Sequence, residues 1–436
     1  MLTDETISAI STPPGEGAVA VIRVSGSLAS HVLGSVFRGR RPADFPRELC
    51  LGRIVSNGEE IDRCLAVYFP APRSYTGEPM AEIHCHGGIL VAARVLEAVL
   101  DEGARAAMPG EFTQRAFLNG KLDLTQAEAV MDVIRARTPL ALRAAQHQLA
   151  GRLGDQFQEM RARLLALVAN VEAWIDFPEE DITPETGEKF ANDIRDTIAR
   201  TDSLLSSAES GRILREGVKL VLCGAPNAGK SSLLNKLLGF ERAIVNPTPG
   251  TTRDTIEEPA NLGGIPFLIT DTAGLRETED AVERQGVERA RQAIAGADLV
   301  VHVIDATLDL PAEIKSGIIA FNKCDLLDKK RPDLPGILVS CVTGEGIAGL
   351  VDRIVAEVHR SAPPPNAAAI NARHKACLHR ARRGLTESLA ELEKNSPPEF
   401  AATGLHEALD AMGEILGVAD AEEILGEIFA RFCIGK

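Results

Sequence analysis

A glycine-rich loop directly after a buried strand constrains the fold of this chain most. Residues 218–223 read Val-Lys-Leu-Val-Leu-Cys, and residues 224–231 continue as G-x-x-x-x-G-K-S into a helical pattern. The glycines let backbone N–H groups turn towards phosphates, and the helix N-terminus adds positive potential. Because apolar runs and helical stretches alternate through residues 211–362, the sequence predicts a doubly wound parallel sheet with a nucleotide at one edge.

The loop residues have separate expected roles. Lys230 should reach the β- and γ-phosphates, and the Ser231 hydroxyl should ligate Mg²⁺. Further loop contacts to the nucleotide are expected from Asn227, Ala228, Gly229 and Ser232.

Four later segments follow in the order that GTPases require. Thr252 can ligate Mg²⁺ from a switch segment, Asp271 can support the ion, and the Gly274 N–H can meet the γ-phosphate. The carboxylate of Asp325 can accept two hydrogen bonds from guanine, and adenine would leave it unpaired, so GTP is favoured over ATP. The expected contacts in these segments are Thr251, Thr252, Asp271, Thr272, Ala273, Gly274, Asn322, Lys323, Asp325, Ser340, Cys341 and Val342.

The sequence lacks the water-positioning glutamine of Ras-like GTPases, because Leu275 follows the D-x-x-G segment. Glu283 in the next switch segment is our candidate to orient the water, although a solvated carboxylate at a helix start is the alternative. No arginine finger is evident, and a monovalent cation near the β–γ bridge can supply that charge. Asn227 offers one oxygen ligand for such a cation, and a purely structural role in the loop is the alternative.

The chain divides into four stretches. Residues 1–118 are predicted as a mixed α/β domain, and residues 119–210 as the first part of a helical domain. The G domain at 211–362 is inserted into it, and residues 363–436 complete it beyond a proline-rich linker.

Four local predictions in the helical stretches can be compared directly with a structure. Residues 125–128 match a capping box. Apolar residues from Leu149 to Ile175 predict one long amphipathic helix, and a shorter helix is expected to follow up to about Ser210. The helical pattern resumes at Asn371.

The net charge and the spacing of the cysteines exclude several classes of protein. A net charge of -15 argues against a protein whose whole surface grips a phosphate backbone, so any RNA must meet a local patch. The eight cysteines form no C-x-x-C pair, and the acidic start lacks a basic signal-peptide region, so we expect a reducing cytoplasm and no membrane. His84, Cys85 and His86 cannot all ligate one metal if they lie on a strand, since neighbours alternate between faces.

Several motifs together resemble one family. Gly-x-Pro-Asn-x-Gly-Lys-Ser with Pro-Gly-Thr-Thr-Arg-Asp is similar to the TrmE–Era–EngA group of GTPases. Stretches outside the G domain narrow the resemblance to the MnmE family, and it covers essentially the whole chain. These stretches are residues 12–26, 75–88, 109–124 and the terminal Phe-Cys-Ile-Gly-Lys.

The resemblance implies a tRNA-modifying GTPase. It implies a homodimer formed through the N-terminal domains, each binding a tetrahydrofolate derivative in the 5,10-methylene or 5-formyl form. It also implies a complex, a heterotetramer or larger, with an MnmG-type protein that uses FAD and NADH. Together they add an aminomethyl or carboxymethylaminomethyl group to C5 of the wobble uridine in certain tRNAs.

Residue roles follow from the same resemblance. Asn227, Asn246, Thr248 and Thr251 match the potassium ligands, and Ser231 and Thr252 match the magnesium ligands. Glu283 matches the general acid/base. Arg23, Glu82, Lys121 and Lys436 match folate contacts, which suits the chemistry because a carboxylate can pair with the N–H edge of a pterin and the cations suit an anionic glutamyl tail or the one-carbon group.

Cys433 has three interpretations. The last four residues superficially fit a prenylation motif, but Gly435 and Lys436 do not suit it. A buried inert thiol is the second interpretation. The third, which we favour, is a mobile tail that delivers Cys433 beside the folate as a catalytic residue.

Glu16 and Ala18 depart from the family pattern, which bears on substrate affinity. The basic residues Arg373, Lys375, Arg380, Arg382 and Arg383 are more consistent with a solvated surface than with a tRNA patch.

Two other functions remain open at this stage. An Era- or EngA-like ribosome-assembly switch shares the G domain, but such proteins append RNA-binding domains after it. A folate-dependent one-carbon transferase regulated by its G domain is the other alternative.

Overall fold

The computed structural model describes residues 5–176, 184–240, 257–271, 291–308, 317–327, 334–361, 370–394, 396–418 and 422–436. The chain forms two compact units. Unit 1 comprises Met1–Met131 and Gly413–Lys436, and unit 2 comprises Asp132–Met412. Residues 413–436 thus group with the N-terminal stretch, whereas the sequence analysis gave all of 363–436 to the helical domain. The domain boundaries themselves stay a prediction.

The elements of the described residues are numbered in chain order. They are β1 (Ile7–Ile10), β2 (Val19–Ser25), α1 (Ala29–Val36), β3 (Phe37–Gly39), β4 (Cys50–Ser56), β5 (Glu59–Phe69), β6 (Met80–His86), α2 (Ile89–Asp101), β7 (Arg105–Ala106), α3 (Glu111–Leu118), α4 (Leu124–Arg135), α5 (Pro139–Leu149), α6 (Arg152–Asp176), α7 (Pro184–Ser206), α8 (Ala208–Glu216), β8 (Val218–Cys223), α9 (Lys230–Phe240), β9 (Glu257–Leu262), β10 (Ile265–Asp271), β11 (Leu299–Asp305), β12 (Ile318–Asn322), β13 (Ile337–Leu338), α10 (Ile347–Ser361), α11 (Ala372–Glu393), α12 (Pro398–Leu416) and α13 (Glu422–Ala430).

Unit 1 is built on a seven-stranded sheet in the order β3-β4-β5-β6-β2-β1-β7. Neighbours are antiparallel except for the parallel pair of β1 and β7. Alternate residues of β2 and β6, such as Ile22 and Ile83, join α1 and α2 in one apolar core. Since side chains alternate along a strand, Arg23 and Glu82 project from the opposite face. That face carries a second, smaller apolar cluster around Phe112.

Unit 2 contains a six-stranded sheet in the order β13-β12-β11-β8-β10-β9. All neighbouring strands are parallel except β9, which pairs antiparallel with β10. Helices α9 and α10 contribute Leu233 and Leu350 to a core with the strands. The predicted α/β class with a doubly wound sheet is therefore confirmed.

The long helix is confirmed from Arg152 to Asp176, and so is the restart at Asn371. The predicted start of the long helix was wrong, because Leu149 is the last residue of α5 and Ala150 and Gly151 separate the two helices. Helix α6 buries Leu153, Phe157, Met160 and Leu164 on one face. Asn371 caps α11, because its side chain accepts a hydrogen bond from the His374 N–H.

Two further local predictions for the first helical stretch were wrong. The single shorter helix is in fact two, α7 and α8, and α8 continues to Glu216. The capping box at the start of α4 lies two residues earlier than predicted, because Asp123 Oδ1 accepts from the Gln126 N–H at 2.8 Å and Gln126 Oε1 accepts from the Asp123 N–H at 2.9 Å. Thr125 is inside the helix and donates its hydroxyl to Asp123.

Candidate functional site

The phosphate loop connects β8 to α9 at the carboxyl end of the parallel strands. The side chain of Lys230 is buried, and its Nζ donates to the carbonyl oxygens of Gly224 at 3.0 Å and Ala225 at 2.8 Å. Asn227 is exposed at the tip with a left-handed backbone, φ 62°. The loop thus holds the lysine ammonium at its own centre, where a phosphate would meet it.

A pair of oxygen ligands lies beside the loop. The Ser231 hydroxyl donates to Asp271 Oδ2 at 2.6 Å, and Asp271 is buried at the end of β10. The parallel pairing of β10 with β8 sets this distance, because it places Asp271 opposite Leu222, directly before the loop. A hydroxyl and a carboxylate at this separation are oxygen donors of the kind that Mg²⁺ prefers.

Asn322 connects the phosphate loop to the segment that follows β13. Its Nδ2 donates to Ala228 O at 2.9 Å, and its Oδ1 accepts from the Cys341 N–H at 3.2 Å. Gly229 leaves room for this side chain, because a Cβ there would lie 2.1 Å from Asn322 Nδ2, and its φ is +93°. The sequence predicted a nucleotide contact for Asn322, and the structure adds a tether between two loops.

The residues predicted to recognise the base lie on the two loops that Asn322 joins. Asp325 is exposed in a short 3₁₀ turn after β12, and Lys323 Nζ pairs with Asp305 Oδ2 at 2.6 Å. Ser340 is fully buried, and its Oγ accepts from the N–H groups of Val342 and Thr343. Burial raises the pKa of the Cys341 thiol, and the charge of Asp325 adds to that effect.

The other nucleotide-site predictions lie outside the described residues. They concern Asn246, Thr248, Thr251, Thr252, Thr272, Ala273, Gly274 and Glu283. Ser232 is an exposed residue of the first turn of α9.

A second cluster of charged groups occupies the open face of the unit 1 sheet. Arg23 and Glu82 are direct cross-strand partners, and Glu82 Oε1 accepts from Arg23 Nε at 3.0 Å and from Nη2 at 2.8 Å. His84 Nε2 lies 3.4 Å from Glu82 Oε2. The hydrogen bond from His84 and the charge and hydrogen bonds of Arg23 lower the pKa of Glu82 against the effect of burial. The pair is therefore a carboxylate and a guanidinium that expose only 16% and 15% of their side chains.

Two aromatic rings hold the Arg23 guanidinium. Its Cζ lies 5.3 Å from the centroid of Tyr75 and 5.7 Å from that of Phe112, which is cation–π distance. The Tyr75 hydroxyl and Thr113 Oγ1 are 2.8 Å apart. Sequence reasoning assigned no role to these residues, although only 4% of the chain is aromatic and both rings lie in stretches that carry the family resemblance.

A buried ionic network supports this cluster from α3. Glu111 accepts from Arg115 Nη2 at 2.9 Å and from two nitrogens of Arg105. Although burial acts against it, these hydrogen bonds and the one from the Met108 N–H lower the pKa of Glu111. Arg115 also reaches Glu78, which accepts from the Ser25 hydroxyl. The sequence signal was an i, i+4 acid–base pair in a largely buried helix, and it was missed.

The last residues of the chain lie on the same face of the sheet. The Gly435 carbonyl accepts from Ser11 Oγ at 3.1 Å and, more weakly, from Arg23 Nη1 at 3.5 Å. Burial and the charge of Arg23 lower the pKa of Lys436, while Glu82 and Cys433 oppose them. Three of the four predicted folate residues, Arg23, Glu82 and Lys436, therefore lie together, with the exposed Cys433 nearby.

The fourth predicted folate residue, Lys121, has other contacts, because its Nζ donates to Pro72 O at 3.2 Å and its stem lies next to Gly77. The alternation predicted for β6 is present. Cys85 is in the core, whereas His86 pairs with Asp62 at 2.7 Å on the surface. In the described ranges, no group of three or more His, Cys, Asp or Glu residues can hold a metal ion.

Two basic residues of the α11 stretch form ion pairs. Arg382 pairs with Asp202, and Arg383 pairs with Glu407. These contacts agree with the solvated surface that the sequence favoured.

Within the described parts of the chain, no helix is long and apolar enough to cross a membrane.

A phosphate loop on a parallel sheet, followed by an acid predicted to accept two hydrogen bonds that guanine can donate and adenine cannot, is the arrangement of the GTPases. Two family profiles then specify the class further. The profile described as the MnmE helical domain matches residues 124–433, and that of the GTP-binding protein TrmE N-terminus matches residues 6–121. The chain belongs to the MnmE family.

Curated relatives support this assignment over the full length. A protein of Akkermansia muciniphila is 46% identical over 99% of both chains. Those of Roseiflexus sp. and Clostridioides difficile are 43% and 42% identical over 100% of both chains. Each of the three is called "tRNA modification GTPase MnmE".

Proposed function

We propose that this chain is a potassium-dependent GTP hydrolase that acts in tRNA modification. With an MnmG-type partner that binds FAD and NADH, it adds an aminomethyl or carboxymethylaminomethyl group to C5 of the wobble uridine in certain tRNAs. A tetrahydrofolate derivative supplies the carbon. The observation that carries the proposal is the presence, in one chain, of the Ser231–Asp271 pair beside a phosphate loop and of the Arg23–Glu82 pair beside Lys436.

Residues of this chain assemble the charges that GTP hydrolysis needs. Lys230 would reach the β- and γ-phosphates, and Ser231 and Thr252 would ligate Mg²⁺, with Asp271 supporting the ion. Their fit to the ion is supported by the 2.6 Å contact of the serine hydroxyl with the carboxylate. A bound Mg²⁺ neutralises charge that develops on the phosphates.

The residues that would hold K⁺ replace an arginine finger, because the bound ion would supply the positive charge that such a finger provides. Asn227 supports this because its exposed side chain stands at the tip of the phosphate loop, on a backbone with φ 62° that a non-glycine residue seldom adopts. Asn246, Thr248 and Thr251 complete the ligand set in the proposal. Glu283 orients the attacking water, directly or through a second water.

The folate derivative binds on the open face of the unit 1 sheet. Glu82 accepts from the N–H edge of the pterin, as Asp325 does from guanine, and its ionised state is favoured by Arg23 and His84. Arg23 and Lys436 face the glutamyl tail or the one-carbon group, and Lys121 extends the cationic surface. The fit is supported by a carboxylate held between a guanidinium and an imidazole, with Tyr75 and Phe112 against the guanidinium.

A homodimer formed through unit 1 is supported by exposed leucines on its open face. Leu51 and Leu65 are cross-strand partners that expose 66% and 37% of their surface, and Leu49 is exposed by 53%. Neighbouring apolar side chains on a strand face are costly in water and are typical of an interface. The partner complex is a heterotetramer or larger, and the proposed site of action is the cytoplasm.

Nucleoside mass spectrometry of bulk tRNA, from cells with and without the gene, tests the proposal. Loss of the aminomethyl-type wobble uridines on deletion, restored by the wild-type gene and not by a Ser231→Ala gene, is the expected result. Unchanged nucleosides together with immature ribosomal subunits would instead favour the Era- or EngA-like assembly switch. If modification survived deletion of residues 211–362, the regulated one-carbon transferase would be favoured.

A further inference from the structure

We infer that Ser11 is a positioning residue that anchors the C-terminal tail as one wall of the folate pocket. The tail is defined as residues 431–436, which follow α13. The inference rests on the proposed folate site, since it assigns to Ser11 the task of holding Lys436 beside the Arg23–Glu82 pair.

The Gly435 carbonyl is the point at which the tail is held. It accepts from Ser11 Oγ at 3.1 Å, and Arg23 Nη1 lies at the outer limit of a hydrogen bond, at 3.5 Å. Ser11 is itself fixed, because its N–H donates to Val21 O at 2.7 Å. The serine hydroxyl is therefore the best-placed donor to the tail, presented by a residue that directly follows β1.

Close packing fixes the same peptide in place. Gly435 has φ +95°, and a Cβ there would lie 2.5 Å from Ile10 O and 2.9 Å from the Ser11 Cα. A glycine is thus required both for the backbone conformation and for the approach to β1. Phe432 is buried at the start of the tail, and the Gly110 N–H lies 3.4 Å from Cys433 O. The tail is held at both ends, while the side chains of Cys433 and Ile434 remain exposed.

The anchor brings the last residue into the pocket. Lys436 is close enough to Arg23 and Glu82 for their charges to act on it in opposite directions. A cation held beside Arg23 has an unfavourable interaction with it, and an anionic ligand between them would relieve this repulsion. The ligand that fits is a folate with its pterin on Glu82 and its anionic part towards Arg23 and Lys436. Folate and the docked tail should then stabilise each other, since coupling between two equilibria is reciprocal.

Removal of Lys436 by carboxypeptidase B, followed by intact mass spectrometry of the full-length chain, reports tail docking without any folate. Ser11→Ala and Gly435→Ala should lose Lys436 roughly fivefold or more faster than wild type, the factor that corresponds to one hydrogen bond. Ser11→Thr keeps the hydroxyl and should restore the slow rate. Ser56→Ala, on β4, is the matched control and should behave as wild type. Equal rates of Lys436 removal in all variants would refute the role of Ser11 as the anchor of the tail.

Calorimetric titration with 5-formyltetrahydrofolate then tests the link to the pocket. The affinity of Ser11→Ala should fall roughly fivefold, that of Ser11→Thr should not, and folate should slow Lys436 release in the wild type. Faster release of Lys436 with an unchanged affinity for folate would refute the claim that the tail forms a wall of the pocket. If the wild type bound no folate, the proposed folate site would fail, whereas the carboxypeptidase result would still decide whether Ser11 anchors the tail. Thermal unfolding midpoints equal to that of the wild type show that each variant is folded.

Discussion

Gly229→Ala should break the contact through which Asn322 joins the phosphate loop to the segment after β13. The added Cβ would lie 2.1 Å from Asn322 Nδ2, so either the phosphate loop or the asparagine must move. A left-handed backbone costs a non-glycine residue roughly 1–2 kcal/mol. Displacing Asn322 loses its hydrogen bonds to Ala228 O and from the Cys341 N–H, each worth about 1 kcal/mol.

The sum of these terms is about 3–4 kcal/mol, and each 1.4 kcal/mol is a factor of ten in affinity. We therefore expect the Kd for GTP to rise roughly 10²- to 10³-fold. In the free protein the phosphate loop can move and relieve the clash. Because GTP binding must then restore the strained conformation of the loop, most of this free-energy cost lowers the affinity for GTP. Titration calorimetry at a fixed potassium concentration measures it directly.

Gly239→Ala is the matched control for this substitution. It lies in α9, and a Cβ there would meet no atom within 4 Å. Since alanine favours a helix over glycine, this variant should be as stable as wild type or slightly more stable and should bind GTP normally. If Gly229→Ala bound GTP within threefold of the control, the assigned tether through Asn322 would be refuted.

Three further predictions concern the chemistry and the pH response. GTP hydrolysis should fall roughly tenfold or more when sodium replaces potassium at equal ionic strength, because the transition state then loses a stabilising positive charge. Asn227→Ala should abolish the rate difference between the two salts. Equal wild-type rates in both salts would refute the proposed role of potassium. Glu283→Ala should slow single-turnover hydrolysis roughly 10²- to 10⁴-fold with near-normal GTP binding, whereas Glu288→Ala should not; collapsed binding would make Glu283 structural. Because the folded pKa of Glu82 is lowered, its contribution to stability is present above the unfolded pKa and is lost as pH falls through the folded value. Unfolding titrations from neutral to acid pH should therefore show a shallower loss for Glu82→Gln than for Glu97→Gln, and parallel curves would contradict the assignment.

The phosphate loop could be predicted because its chemistry is local. Glycines, a lysine and a serine at fixed spacing after an apolar run determine a strand, a turn and a helix start without reference to the rest of the chain. The strand alternation around Cys85 followed from the same kind of argument. The helix start at Asp123 was displaced by two residues because aspartate and threonine are both good caps, and a pattern alone does not show which side chain bonds the free N–H groups.

The pocket of unit 1 could not be derived from spacing. Arg23 and Gly435 are separated by 412 positions, and their contact depends on where the last helix returns the chain. Family resemblance indicated Arg23, Glu82 and Lys436, but not the rings of Tyr75 and Phe112 or the buried Glu111–Arg115 pair. Those residues act through packing in three dimensions, and the sequence shows only that a helix carries charges where apolar residues are expected.

Transfer of labelled carbon tests the central claim most directly. The purified chain is incubated with its MnmG-type partner, FAD, NADH, unmodified tRNA, potassium, GTP and ¹³C-labelled 5,10-methylenetetrahydrofolate, and the wobble nucleoside is analysed by mass spectrometry. We predict that ¹³C enters the C5 substituent with wild type and GTP, and that it does not with Glu82→Ala or when GTP is left out. Label that appears equally without GTP, or a modified uridine without label, would contradict a GTPase that uses a folate carbon to modify tRNA.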